Sequence, residues 1–423
     1  MDPDPGHQLD QLAEMEQVEQ LGQQMIRVVR RDSTAQPPVR AEDFAPPLAT
    51  RLLVLQPTPF CNIDCSYCYL PNRADRSRMA LPTVRLAARH LRDDGLLADE
   101  LTVVWHAGEP LVLPPAYYEA AFAAINDELA GATRVTHAIQ TNATLINDGW
   151  CRFFLHHGVS LGVSVDGPAA LHDRHRRTRR GGGTHAAVMN SVATLRRHGV
   201  PFHAIAVVGA ETLADPDAFY DWFEAQGITE LGCNFDEAEG ANTQSSLTGH
   251  EAAHAAFMAR LLQRALHGSV VVRELAAAWQ MLREPLPRWR WLNYDWPQNT
   301  QVMPLALITV GHNGDFGSFS PELLGQPWPA YDNFVLGNVH RGGYKAALQG
   351  AAFARQWQAI SRGVLACAQS CAYFEQCGGG APANKLYEHG SFAATETLHC
   401  RSMLKRPFDA VLRQAELEQG LRA

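Results

Sequence analysis

No stretch of the 423 residues approaches the roughly 18 uninterrupted apolar residues that a membrane-spanning helix requires, so no membrane partner is expected. The segment MDPDPGHQLDQLAEMEQ is acidic and lacks the apolar core of a secretory signal. It is read as no signal peptide, and the expected compartment is the cytoplasm. A basic excess is missing too. The 36 Lys and Arg against 44 Asp and Glu leave a net charge of −8, which argues against a general binder of nucleic acid or anionic membrane. No internal repeat stands out beyond an alternation of strands and helices. What is there is an ordinary globular composition, 46% apolar and 19% charged, long enough for two or three domains of about 100–200 residues.

The nine cysteines are an odd number, which argues against a disulfide framework, and most are clustered, which argues for metal. Cys61, Cys65 and Cys68 share the loop CNIDCSYC. Cys367, Cys371 and Cys377 form a second group, with Cys400 beyond it. Cys151 and Cys233 stand alone in apolar stretches and are read as packing residues. The first loop offers three thiolates and no histidine. Structural zinc takes four protein ligands and a 4Fe–4S cube normally takes four thiolates, so this loop leaves one metal position open for a substrate or cofactor.

Apolar runs predict strands over 51–57, 101–106, 134–140, 159–165, 202–208 and 230–235, with helices over 82–93, 115–129, 147–157, 185–198 and 215–226 between them. Such alternation implies parallel β/α units with right-handed crossovers, in a partial barrel because it stops near residue 235. Residues 248–283 read as one continuous helix; an apolar strand, LALITV, the turn HNGD, a helix near 341–360 and a terminal helix follow. The expected divisions are a helical extension and linker (1–48), the partial barrel (49–240), a helical linker region (241–304), a domain around the second cysteine group (305–405) and a C-terminal helix (406–423). The polar residues fall at strand ends: the cysteine loop after the first, Ala107 to Pro110 after the second, Thr141 and Asn142 after the third, Ser164 and Asp166 at the fourth. Strand C-termini are where β/α barrels build reactive sites.

The spacing Cys61-x3-Cys65-x2-Cys68, with Tyr67 directly before the third cysteine, resembles the hallmark of radical S-adenosylmethionine (SAM) enzymes, and the resemblance spans nearly all of residues 51–400. It implies an α/β fold containing a partial (β/α)6 barrel. It also implies a 4Fe–4S cluster on the three cysteines, whose open iron SAM chelates, and reductive cleavage of SAM to a 5′-deoxyadenosyl radical. By the same resemblance Tyr67 lies against the adenine, and Asn142 joins the cofactor pocket. Gly108 and Glu109 of AGEP match the family's GGEP motif, with Ala107 in place of its first glycine, and meet the SAM amine. Ser164 and Asp166 lie near the ribose and methionine moieties, and Arg176 pairs with the SAM carboxylate, which a guanidinium fork suits.

The second group, Cys367-x3-Cys371-x5-Cys377 with Cys400, resembles in reduced form the C-terminal SPASM extension of radical SAM peptide maturases. Ala381 stands where the fourth core cysteine belongs, and the hairpin NGDFGSFSPELLG has serines and no cysteine. The resemblance implies a SPASM-like domain with one auxiliary 4Fe–4S cluster on Cys367, Cys371, Cys377 and Cys400. A structural zinc on the same four thiolates is the alternative.

The segments QPTPFCNIDCSYCYLPNR and CGGGAPANKLYEHGSFAATETLHC resemble cyclophane-forming maturases of ribosomal peptides, the GrrM/OscB-like branch. This implies a bond between an aromatic ring carbon and the β-carbon of a nearby residue, closing a three-residue ring. The implied partners are a precursor peptide with a leader and an external electron donor such as flavodoxin or ferredoxin. Ring deprotonation needs a base, for which Asp295 in NYDWPQN is the candidate, a capping or backbone-binding role being its alternative. Trp291, Tyr294 and Trp296 are candidates for a peptide channel, ordinary packing being the alternative. A thioether-forming or sulfatase-maturing enzyme is the second reading, and a zinc-stabilised binding protein is the reading from another class.

Overall fold

The computed structural model describes residues 39–291 and 294–419; residues 1–38 of the expected helical extension and residues 420–423 lie outside them. Six strands run parallel and in chain order through the sheet: β1 (Thr50–Leu55), β2 (Leu97–Trp105), β3 (Arg134–Thr141), β4 (Ser160–Ser164), β5 (His203–Val208) and β6 (Glu230–Phe235). The crossovers carry the helices Leu81–Asp93, Pro115–Leu129, Asp148–His157, His185–His198 and Pro216–Ala225. The α/β fold with a central parallel sheet is therefore as the alternation implied. Leu53, Val54, Leu55, Val103, Trp105, Ile139 and Val163 are buried, as strands covered on both faces require. Trp105 packs between Tyr118 and Phe122, at ring-centroid distances of 5.2 and 5.7 Å. Helix limits follow local chemistry. The Asn147 side chain accepts from the N–H groups of Gly149 and Trp150, and the helix it caps stops at Gly158 in the left-handed region (φ 59°). Cys151 and Cys233 are fully buried, consistent with packing roles.

Two features differ from expectation. Residues 248–283 form two helices, Glu251–His267 and Arg273–Arg283, because Gly268 ends the first and Val271–Val272 pairs parallel with β6. The helical spacing of Phe257 and Leu261 holds within the first, but glycine followed by β-branched valines favours an extended break. The expected division at 304/305 falls inside a continuous sheet. Leu307–Val310 pairs parallel with β1, and Asp315–Ser318 and Gly337–Asn338 follow antiparallel. The sheet thus has ten strands and stays open, with Val271–Val272 at one edge and Gly337–Asn338 at the other. The helix expected near 341–360 is Ala351–Ser370, long enough to place Cys367 in its last turn. Among the described residues no helix is long and apolar enough to cross a membrane.

Candidate active site

The C-terminal ends of β1 to β6 open into one cavity of about 450 Å³, lined by Cys61, Cys65, Cys68, Tyr67, Gly108, Glu109, Asn142, Ser164 and Arg176 among others. The cysteine loop is held from several sides. Its segment Ile63–Cys65 pairs antiparallel with Arg176–Thr178. Arg73 donates to the Cys65 carbonyl at 2.8 Å, Arg179 donates to the Cys61 carbonyl at 3.0 Å, and the Asn142 amide lies 3.7 Å from the Cys61 sulfur.

The AGEP turn locks against this loop. Glu109 N–H donates to the Phe60 carbonyl at 2.8 Å. Gly108 has φ +58°, and a Cβ there would stand 2.5 Å from the Thr58 oxygen and 2.6 Å from that of Phe60, so only glycine fits. Ala107, the departure from GGEP, also sits in the left-handed region at φ 69°, which costs an ordinary residue about 1–2 kcal/mol. Ala107→Gly is therefore expected to raise unfolding stability by about 1 kcal/mol in denaturant titrations. Gly108→Ala is expected to lower stability and displace the cysteine loop.

Glu109 ties β2 to β3. Its Oε1 accepts from Leu111 N–H (2.9 Å) and the Thr141 hydroxyl (2.6 Å), and its Oε2 accepts from Asn142 N–H (2.7 Å). Burial outweighs these three donors and pushes the carboxyl up to about 7. A cation reaching it would favour the ionised form.

Tyr67, Asp166 and Arg176 are brought together, and mostly with one another. The Tyr67 hydroxyl donates to Asp166 Oδ2 at 2.5 Å. Arg176 forks onto both carboxylate oxygens at 3.0 Å, and Val207 N–H donates to Oδ1 at 2.9 Å. The guanidinium also lies over the Tyr67 ring, 5.4 Å from its centroid. The carboxylate that Arg176 meets in the structure is the chain's own Asp166. Asp166 itself lines an adjoining pocket of about 280 Å³ that shares Tyr67 with the main cavity. Four donors converge on the Asp166 carboxylate, which ties Tyr67 and Arg176 together.

The second cysteine group is gathered by Ala351–Ser370, the following CGGG turn and the segment before the last helix. Gly378, Gly379 and Gly380 all have positive φ, which turns Gly380 N–H onto the Cys377 sulfur at 3.1 Å. Thr397 N–H donates to Cys400 Sγ at 3.2 Å, and Lys385 Nζ, 2% exposed, lies 3.2 Å from Cys367 Sγ. The four thiols lie within electrostatic reach of one another.

Among the described residues no three His, Cys, Asp or Glu side chains are placed to hold a single metal ion. A cluster of four irons and four sulfides is wider than one ion, and the donor sets fit it. Burial pushes Cys61 up to about 12 and Cys65 and Cys377 to about 11, so as free thiols they stay protonated at neutral pH. Metal charge is what makes buried thiolates favourable, and backbone N–H groups and a lysine aimed at sulfur support that state.

Asp295 requires a correction. It stands on the strand Tyr294–Pro297 of a small sheet beside the core, half exposed. Its carboxylate is forked by Arg290 at 3.0 and 3.0 Å. It is not among the residues lining the cavity. Trp291 packs on Trp357 and Trp296 on Phe374, which is ordinary core packing. Sequence reasoning missed Glu237, Glu239 and Glu322, three carboxylates on the cavity wall. The strand-end rule, extended to the residues after β6, reaches the first two; Glu322 arrives from far along the chain.

The radical SAM superfamily model matches residues 55–223, the stretch from the cysteine loop through β5. An uncharacterized protein of Synechocystis sp., sll1766, is 34% identical over 389 residues, 88% of this chain and 94% of that protein. The chain belongs to the radical SAM superfamily. A radical SAM enzyme of this kind uses a 4Fe–4S cluster and SAM, the pair that the open three-thiol site anticipates.

The serine-type anaerobic sulfatase-maturating enzyme of Klebsiella aerogenes is 33% identical over 210 residues, 48% of this chain and 51% of that enzyme. The radical SAM chain thus matches about half the length of that relative. Its fold is shared with anSMEcpe with bound AdoMet and Cp18Cys peptide, at TM-score 0.70 and 18% identity over 88% of this chain and 100% of that one. It is also shared with Streptococcus suis SuiB bound to its precursor peptide SuiA, at TM-score 0.55 and 15% identity over 84% and 76%.

Proposed function

We propose that this radical SAM enzyme matures a ribosomally made precursor peptide, joining an aromatic ring carbon to the β-carbon of a residue two positions away. The observation that carries the reading is the cavity itself. Three thiols, the AGEP turn and Arg176 share it with a wall of carboxylates, so it has polar anchors for more than SAM. Two fold neighbours hold peptides, anSMEcpe its Cp18Cys peptide and SuiB its precursor SuiA. The second reading, a sulfatase-maturing enzyme, is favoured by the 33% identity to the Klebsiella enzyme.

In this reading Cys61, Cys65 and Cys68 hold the SAM-binding cluster. Cys367, Cys371, Cys377 and Cys400 hold one auxiliary cluster, which would accept the electron released when the ring regains aromaticity. Bound together, the first cluster and SAM supply a radical that abstracts hydrogen from carbon. The chain's own residues bind and orient. Glu109 receives the SAM amine and Tyr67 the adenine face, while Asn142 and Ser164 line the same pocket. Arg176, aligned by Asp166, presents its remaining nitrogen, Nη1, to the cofactor carboxylate. His106, which burial keeps neutral at about 4, walls the cavity beside Tyr69 and excludes water.

Anaerobic incubation of reconstituted enzyme, SAM and reductant with a peptide carrying aromatic-x-(Asn, Arg or Lys) repeats checks this. The expected product has lost two hydrogens per ring and resists fragmentation across the three bridged residues. A sulfatase-type peptide oxidised at serine to an aldehyde, which a hydrazide captures, would favour the second reading.

A further inference from the structure

The cavity that contains the three thiols also takes in Glu237 and Glu239 from the loop after β6 and Glu322 from the turn after Asp315–Ser318. Glu237 is already engaged, by His399 Nδ1 at 2.7 Å and by the Asn384 amide. Glu322 accepts the Ser320 hydroxyl. Among the described residues the Glu239 carboxylate makes no hydrogen bond and no Lys, Arg or His forms an ion pair with Glu239 or Glu322, His399 acting on Glu322 only from beyond ion-pair distance. Arg273, which lines the same cavity, is committed to Glu274 and Asn234. Burial, with repulsion from neighbouring carboxylates, raises both Glu239 and Glu322.

An independent observation lies in the same wall. The Tyr69 hydroxyl is buried without a hydrogen-bond partner, and its nearest charges include Glu322 and Glu239. The backbone clamps the pieces together: Ala241 N–H and the Gln326 amide both donate to the Tyr69 carbonyl, at 2.8 and 3.1 Å. Glu239 also lines a neighbouring groove of about 300 Å³ with Trp328 and Tyr387, so it stands where groove and cavity meet.

We infer that Glu239, Glu322 and Tyr69 form a subsite for a cationic side chain, a guanidinium or ammonium, of the peptide substrate. Glu239 and Glu322 have no ion pair of their own, and the His399 within electrostatic reach of Glu322 is hydrogen-bonded to Glu237, so a cation with several donors satisfies both carboxylates and reaches the Tyr69 oxygen as well. The groove's aromatic rings cover the apolar stem of an arginine or lysine. The subsite then fixes which neighbouring residue enters the cavity. That the cation arrives on a peptide rests on the maturase reading; the subsite itself is a property of this chain.

The test is calorimetric. Reconstituted enzyme with SAM is titrated with acetyl-Trp-Gly-Arg-amide and with the same tripeptide bearing citrulline, which keeps the shape of arginine and loses its charge. The arginine peptide is expected to bind at least about tenfold more tightly, since hydrogen bonds to charged groups contribute about 1.5–3 kcal/mol. A Glu239→Gln/Glu322→Gln variant is expected to lose that preference, with its iron content and thermal midpoint reporting that it is folded. Equal binding of the two peptides, no binding of either, or an undiminished preference in the folded variant overturns the inference. Crosslinked product without charge preference would remove the subsite and keep the maturase; charge preference without any peptide product would do the reverse.

Discussion

Replacing Cys61, Cys65 and Cys68 together by alanine is expected to abolish reductive cleavage of SAM. Iron should fall from about eight to about four atoms per chain, at four irons in each cube. The three thiols line one cavity, and the loop that carries them is held by Arg73, Arg179 and the strand pairing with Arg176–Thr178. Removing the sulfurs leaves these backbone contacts in place, so the loss should be chemical and not a failure to fold. Anaerobic reconstitution, iron and sulfide counts and 5′-deoxyadenosine assays of both proteins check this. About four irons in the parent enzyme with SAM cleavage intact would instead return the C-terminal thiols to zinc.

Asp166→Ala is expected to destabilise the fold by about 3–5 kcal/mol, the cost of stranding a buried charge. Asp166 and Arg176 are both buried, and the substitution leaves Arg176, the Tyr67 hydroxyl and Val207 N–H without their acceptor. Replacing both members, as Asp166→Leu/Arg176→Met, should recover much of the loss, because a paired charge removed as a pair leaves nothing uncompensated. Denaturant unfolding of the single and double variants measures it. Burial pushes the Asp166 carboxyl up, but the Arg176 guanidinium and the donors outweigh it and hold the group below the ordinary carboxylate range. The pair's contribution is therefore in place above about pH 4 and is lost as the pH falls further. SAM affinity should fall in both variants, since Arg176 loses the partner that aligns it in the first and is absent from the second.

The parallel sheet was legible because each strand is an apolar run punctuated by helix caps, and those are local signals. Local signals also gave the strand-end residues: Gly108, Glu109, Asn142 and Ser164 share the cavity because parallel strands carry their C-termini to one side, whereas Arg176 was marked only by the family resemblance. Other features depended on distant contacts. The break at Gly268 is decided by the parallel pairing of Val271–Val272 with β6, which a helical pattern cannot show. The sheet's continuation through Leu307–Val310 onto β1 joins residues some 250 positions apart. Asp295 looked suitable by composition, yet Arg290 occupies it across a hairpin register invisible in the sequence. Glu322 reaches the cavity by the same long connection. Acidic residues in EAEG and SPELL have no spacing that marks them as neighbours.

A radical made in this cavity is expected to take hydrogen from a peptide β-carbon. The most direct measurement uses a precursor peptide deuterated at the β-carbon of the residue to be joined, turned over anaerobically in ordinary water. The expected products are 5′-deoxyadenosine carrying deuterium and a crosslinked peptide with one deuterium fewer at that carbon. Crosslinked peptide that retains every deuterium there, or 5′-deoxyadenosine without deuterium beside unchanged peptide, would contradict it.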